Sequence, residues 1–192
     1  MKLKVLIIIF SLLLFSNIVN AETKVMQLGI NEYKPEHNAY VHNNRGLLYV
    51  EVEQYHAAIQ EFKIAIALNP NTQATSVYYG NLGDLYMKLG NYTNAQDCFE
   101  HAIYYNPHNF KYYLDLVTSY QYQGKLKSEL SKLKKHKQTP LDDIKIGLIY
   151  IAMGQKNTGI NILDEFIMNE PKLYITDGVK YYLQQYDKLH QK

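Results

Sequence analysis

The 192 residues are 47% hydrophobic and 20% charged, the proportions of a globular chain long enough to bury a core. Its one cysteine, Cys98, excludes an intramolecular disulfide and any zinc or iron–sulfur site built on cysteine. A formal net charge of +2 is far from the clustered positive field that nucleic-acid binding needs.

The first element is a leader. Lys2 and Lys4 precede the run VLIIIFSLLLF, broken only by Ser11, and small residues follow at Val19 and Ala21. That order reads as a secretory signal peptide, residues 1–21, cleaved after Ala21. The expected location is the periplasm or the extracellular space. The run is shorter than the roughly 20 apolar residues of a spanning helix. If retained, the leader makes a membrane anchor, which is the alternative reading. Without Lys2 and Lys4 the 20 basic residues become 18, equal to the 18 acidic ones. Residues 22–38 show no clear period and read as a linker or N-terminal arm.

From residue 39 a repeat takes over. Gly-x-x-Tyr occurs at Gly46/Tyr49, Gly83/Tyr86 and Gly147/Tyr150, with Val117/Tyr120 as a weaker copy. Twelve residues after each first position stand Ala58, Ala95, Glu129 and Gly159. Four further on stand Phe62, Phe99, Leu133 and Leu163, and Pro70, Pro107 and Pro171 close three of the units. The steps agree: 37 residues separate both Gly46 from Gly83 and Pro70 from Pro107. Four units follow, 39–72, 76–109, 110–139 and 140–173, the third degenerate, and residues 174–192 read as a C-terminal capping helix.

Gly and Ala at these spacings suit places where helices cross, because close approach leaves no room for a branched side chain. Gly90, Gly124 and Gly154 fall at helix ends, where a left-handed residue is needed. Glu53 holds that place in unit one and is expected to loosen its turn. In unit three Val117 replaces Gly, and Glu129 and His136 replace Ala. Its second helix keeps Leu126, Leu130 and Leu133 on one face and is expected to pack less tightly than its neighbours. The lysines of that segment (Lys125, Lys127, Lys132, Lys134, Lys135 and Lys137) read as a solvated face, with acidic headgroups or an acidic partner as the alternative.

This pattern resembles the tetratricopeptide repeat family. The likeness is strongest at Tyr79, Leu82-Gly83, Tyr86, Gly90, Tyr92, Ala95, Phe99, Ala102 and Pro107, and good at Gly46, Tyr49, Tyr55, Ala58, Phe62, Ala65 and Pro70. The resemblance implies an all-α right-handed superhelix of about four helix-turn-helix units plus a capping helix. It also implies a concave groove lined by the first helices, and hence a protein–protein interaction adaptor or scaffold taking an extended peptide or helix. A cell-envelope assembly is the expected setting.

At about 100° per residue, unit positions 4, 7, 8 and 11 face the packing side and 2, 5, 9 and 12 the groove. The groove positions are Tyr40, Asn43, Leu47 and Val50 in unit one, and Val77, Gly80, Asp84 and Met87 in unit two, with Lys88 beside them. Unit three places Lys111, Leu114, Thr118 and Gln121 there, and unit four Leu141, Ile144, Leu148 and Ile151. Asn44 and Asn81 stand at the groove edge, where the resemblance implies an amide that binds a peptide backbone. The face of unit four is too apolar to stay open, so either a partner or residues 174–192 must cover it. The family's clamp for a C-terminal carboxylate is not reproduced, because Leu47 stands in place of its Asn and Asp115 in place of its Arg.

No metalloprotease, nucleophile-elbow, phosphate-loop or dinucleotide motif is present. The seven histidines are scattered; His101 and His108 are the nearest to a metal pair and read as surface or seam residues. The expectation is a non-enzymatic chain without cofactor or metal, binding a protein or peptide and no nucleic acid. Membrane contact is expected only through a retained leader, and the apolar fourth unit leaves room for a homodimer.

Overall fold

Glycine, tyrosine and proline cut the chain into helix hairpins in the computed structural model, which describes residues 35–136 and 139–190. The helices are α1 (Pro35–Glu51), α2 (Tyr55–Leu68), α3 (Gln73–Lys88), α4 (Tyr92–Tyr105), α5 (Phe110–Tyr122), α6 (Leu126–Lys135), α7 (Leu141–Ala152), α8 (Lys156–Asn169) and α9 (Tyr174–His190). The described residues contain no strand, and the fold is all-α. The predicted leader and Lys137 lie outside the described residues, as does the arm up to residue 34. Pro35 opens α1, a position where proline's missing N–H costs nothing. The chain divides into two compact units, Met1–Asn81 and Leu82–Lys192.

The hairpin turns repeat one hydrogen-bond pattern. After α3, Gly90 N–H donates to Met87 O and Asn91 N–H to Tyr86 O at 2.9 Å. The same pair of bonds recurs at Gly124/Lys125 onto Gln121 and Tyr120, and at Gly154/Gln155 onto Ile151 and Tyr150. This is a Schellman closure, and the acceptor of its longer-range bond is each time the tyrosine of the repeat. The α1–α2 turn forms it too, with Glu53 onto Val50 and Gln54 onto Tyr49 at 2.9 Å. Glu53 does not loosen the turn. It adopts φ 60°, close to the 72° of Gly90, and bears the steric cost of a Cβ in that conformation. Glu53→Gly is expected to stabilise the chain by about 1 kcal/mol, read as a shift in the urea midpoint.

In the N-terminal unit, α1 lies on α2 through Gly46, where a Cβ would meet the Phe62 ring at 2.5 Å. Ala58, Phe62 and Ala65 are fully buried. His42 Nδ1 donates to Glu61 Oε2 at 2.5 Å across the same pair. Ala39, Ala65 and Tyr78 form a small core that brings in the first half of α3. The Thr75 hydroxyl, fully buried, donates to Asn69 O and satisfies the carbonyl left open where α2 ends.

The C-terminal unit repeats this arrangement. Phe99 fills the space beside Gly83, and Leu163 the space beside Gly147. Cys98 is buried in α4. The Tyr113 hydroxyl donates to Pro107 O at 3.0 Å, and burial, aided by Asp142, pushes its pKa well up. Thr176 donates to Glu170 O at 2.6 Å after α8, as Thr75 does after α2. The third repeat is the loose one: α6 buries no residue, and Leu126, Leu130 and Leu133 are only half-buried against the core. Helix α9 packs on α8 and reaches back to α5, burying Ile175, Val179 and Leu183. Gly178 makes that approach feasible, since a Cβ there would lie 2.8 Å from Phe110 Cβ.

Candidate peptide-binding face

On α1, Tyr40, Leu47 and the intervening asparagines recur at helical spacing. Tyr40 is 58% exposed and Leu47 41%, while Asn43 is buried at 4% and Asn44 half-buried. Val50, at the end of the row, is half-buried. On α3, Val77 is 46% exposed and Gly80 is buried. The half-buried Asn81 donates its amide to Asn43 Oδ1 at 2.7 Å, tying α3 to α1. The Asn81 oxygen keeps acceptor capacity, but part of the amide expected to meet a peptide backbone is spent inside the protein. Asn43 is therefore a support beneath the face rather than a contact on it. The N-terminal unit so presents three exposed apolar side chains around a fixed amide pair.

In the C-terminal unit the corresponding residues form a charged cluster. Lys111 Nζ donates to Asp84 Oδ2 at 3.0 Å and to Asp115 Oδ2 at 2.6 Å. Burial lowers the Lys111 pKa, but the hydrogen bonds and charges of Asp115 and Asp84 outweigh it and hold the ammonium up. Burial pushes the Asp115 carboxyl up in spite of Lys111. With two carboxylates to one ammonium, this cluster is acidic, the reverse of a carboxylate clamp. Lys88, Thr118 and Gln121 are exposed, whereas Met87 and Leu114 are half-buried against the core.

In the fourth repeat, two residues expected to face the groove do not. Ile144 is fully buried and Leu148 is 3% exposed, in one core cluster with Ile175, Val179 and Leu183 of α9. Half-buried Leu141 and Ile151 pack against that cluster. Helix α7 packs on α8, α5 and α6, and α9 joins the same core through α8 and α5.

The described lysines of α6 are exposed, and two of them are engaged at the surface. Lys132 Nζ donates to Glu129 Oε1 at 2.7 Å. Lys134 donates to the Tyr150 hydroxyl, and its ammonium lies 5.0 Å from the centre of that ring. His108 packs edge-on against Tyr174, 6.0 Å between ring centres. Among the described residues no three His, Cys, Asp or Glu side chains converge as metal ligands would, and no helix is long and apolar enough to cross a membrane.

Helix hairpins that repeat one turn, three of them with a glycine at the crossing, define a helical repeat protein. Residues 39–72 and 77–109 both match the model of the family described as tetratricopeptide repeat. No curated protein matches the chain by sequence. Among solved structures, that of MamA is 19% identical, covering 72% of this chain and 81% of that one, with a TM-score of 0.46. The Arabidopsis OM64 TPR domain is 16% identical, covering 71% and 99%, with a TM-score of 0.47. YrrB, described as a TPR protein with an unusual peptide-binding site, is 18% identical, covering 74% of each chain, with a TM-score of 0.44.

Proposed function

We propose that this chain is an exported interaction scaffold whose first-helix face takes an extended peptide or helix from a protein partner in a cell-envelope assembly. The observation that carries the reading is the exposed trio of Tyr40, Leu47 and Val77 around the Asn43–Asn81 pair. Apolar side chains flanking an immobilised amide suit a segment that offers both side chains and backbone. In the C-terminal unit, the acidic cluster around Lys111 suits basic residues on a partner. The reading assigns no catalytic role. A retained leader would make the same scaffold membrane-anchored, and the intact mass of the isolated protein decides this: a chain starting at Glu22 excludes the anchor.

The test is capture from the native host with a C-terminal tag, followed by affinity measurement on the partner recovered. Tyr40→Ala with Leu47→Ala is expected to weaken binding at least tenfold, since a truncated aromatic anchor typically costs about 2 kcal/mol. Both side chains are exposed, so the melting temperature should hardly move. Unchanged affinity in the double variant rejects this face as the binding site.

A further inference from the structure

The third repeat departs from the first two at Glu129 and His136, and both residues line a cleft of about 630 Å³ between α4, α5, α6 and α7. In the first two hairpins those positions are Ala58, Ala65, Ala95 and Ala102, all fully buried, and the helices close over them. Here the half-buried Glu129 stands in the seam, the exposed His136 lies at its end and α6 buries nothing, which leaves the cleft open. Its volume falls within the range of about 300–1,000 Å³ common to small-molecule sites.

The floor is apolar, made by Ile103, Leu116 and Leu133. Charge selects the occupant. Both lysines of the lining are already held, Lys132 by Glu129 at 2.7 Å and Lys145 by Asp142 at 2.6 Å. Glu100 accepts hydrogen bonds from Gln96 at 3.0 Å and from the Tyr120 hydroxyl at 3.4 Å, but among the described residues no cation pairs with it. An entering anion would meet Glu100 and Glu129 and find the ammonium groups engaged. An entering ammonium would find Glu100 without a counter-charge, an apolar floor for its stem and the exposed ring of Tyr104 in the lining. We propose that this cleft is a binding site for an alkylammonium group, a flexible apolar stem ending in a cation, supplied by a free polyamine or by a lysine side chain. Burial, with Glu100 and Glu129 adding to it, raises the Tyr120 pKa well above the usual tyrosine range, so its hydroxyl remains a donor to Glu100.

The experiment titrates 1,5-diaminopentane into the isolated chain while following the methyl resonances of Ile103, Leu116 and Leu133, with hexanoate as the matched anion. Saturable shifts with the diamine alone, weakened at least fivefold by Glu100→Gln, are expected. Glu100 is exposed, so the melting curve of that variant should match the parent. Equal binding of hexanoate, no saturable diamine shift, or a diamine shift unchanged in Glu100→Gln overturns the proposal. Spermidine saturating at lower concentration than Nα-acetyl-lysine amide supports a free polyamine as the occupant, and the reverse order supports a partner's lysine. The cleft shares no residue with the Tyr40 face, so the two tests fail independently.

Discussion

Gly159→Val is expected to destabilise the chain by about 3 kcal/mol, measured by urea unfolding followed by circular dichroism. The helices α7 and α8 cross backbone to backbone at this residue. A Cβ on Gly159 would lie 2.4 Å from Gly147 O and 2.6 Å from Ile151 Cγ1. A flexible side chain could move aside, but a helical carbonyl cannot without pushing the helices apart. That separation would also loosen Leu163, fully buried beside Gly147. Helix propensity acts the other way, favouring valine over glycine by only a few tenths of a kcal/mol. The first two repeats carry Ala58 and Ala95 at this position, so a methyl group is accommodated there and not here. A loss below about 1 kcal/mol would mean that α7 and α8 do not meet on this pair.

Leu148→Glu is expected to cost on the order of 4 kcal/mol, because it removes a buried side chain and puts a charge in its place. Were Leu148 on an open groove, the same change would stay within about 0.5 kcal/mol and act on binding instead. The two cases separate cleanly in a melting experiment on the isolated protein. A companion chain ending at residue 173 removes Ile175, Val179 and Leu183 from the same core cluster and should lose stability as well. A stable Leu148→Glu protein would put the face of the fourth repeat back in solvent.

Much of this architecture was legible in the residues. The Gly-x-x-Tyr and Ala-x-x-x-Phe spacings depend on helix geometry alone, and the crossings and turns formed where they predicted. The looseness of the third repeat was legible for the same reason, since Glu129 and His136 break the small-residue seam. What lay beyond reach depended on contacts between elements distant in sequence. Periodicity assigns Ile144 and Leu148 to one side of α7, but not what lies over that side. The Asn81–Asn43 bond arises only when α3 crosses α1 at one particular height. The return of α9 to Phe110 had one faint signal, Gly178 in an otherwise bulky helix. The Thr75 and Thr176 closures had another, a threonine six residues after the residue preceding a proline. The loosening expected at Glu53 did not occur because two backbone hydrogen bonds close the turn whatever side chain its left-handed residue carries.

The most direct measurement places a photo-activated cross-linking residue at position 40, at position 77 and, as a control, at the exposed Gln60 of α2, in the native host. Adducts with one partner at 40 and 77 and none at 60 are the predicted result. Adducts at 60 alone, or equally at all three positions, would contradict a binding face built on Tyr40, Leu47 and Val77.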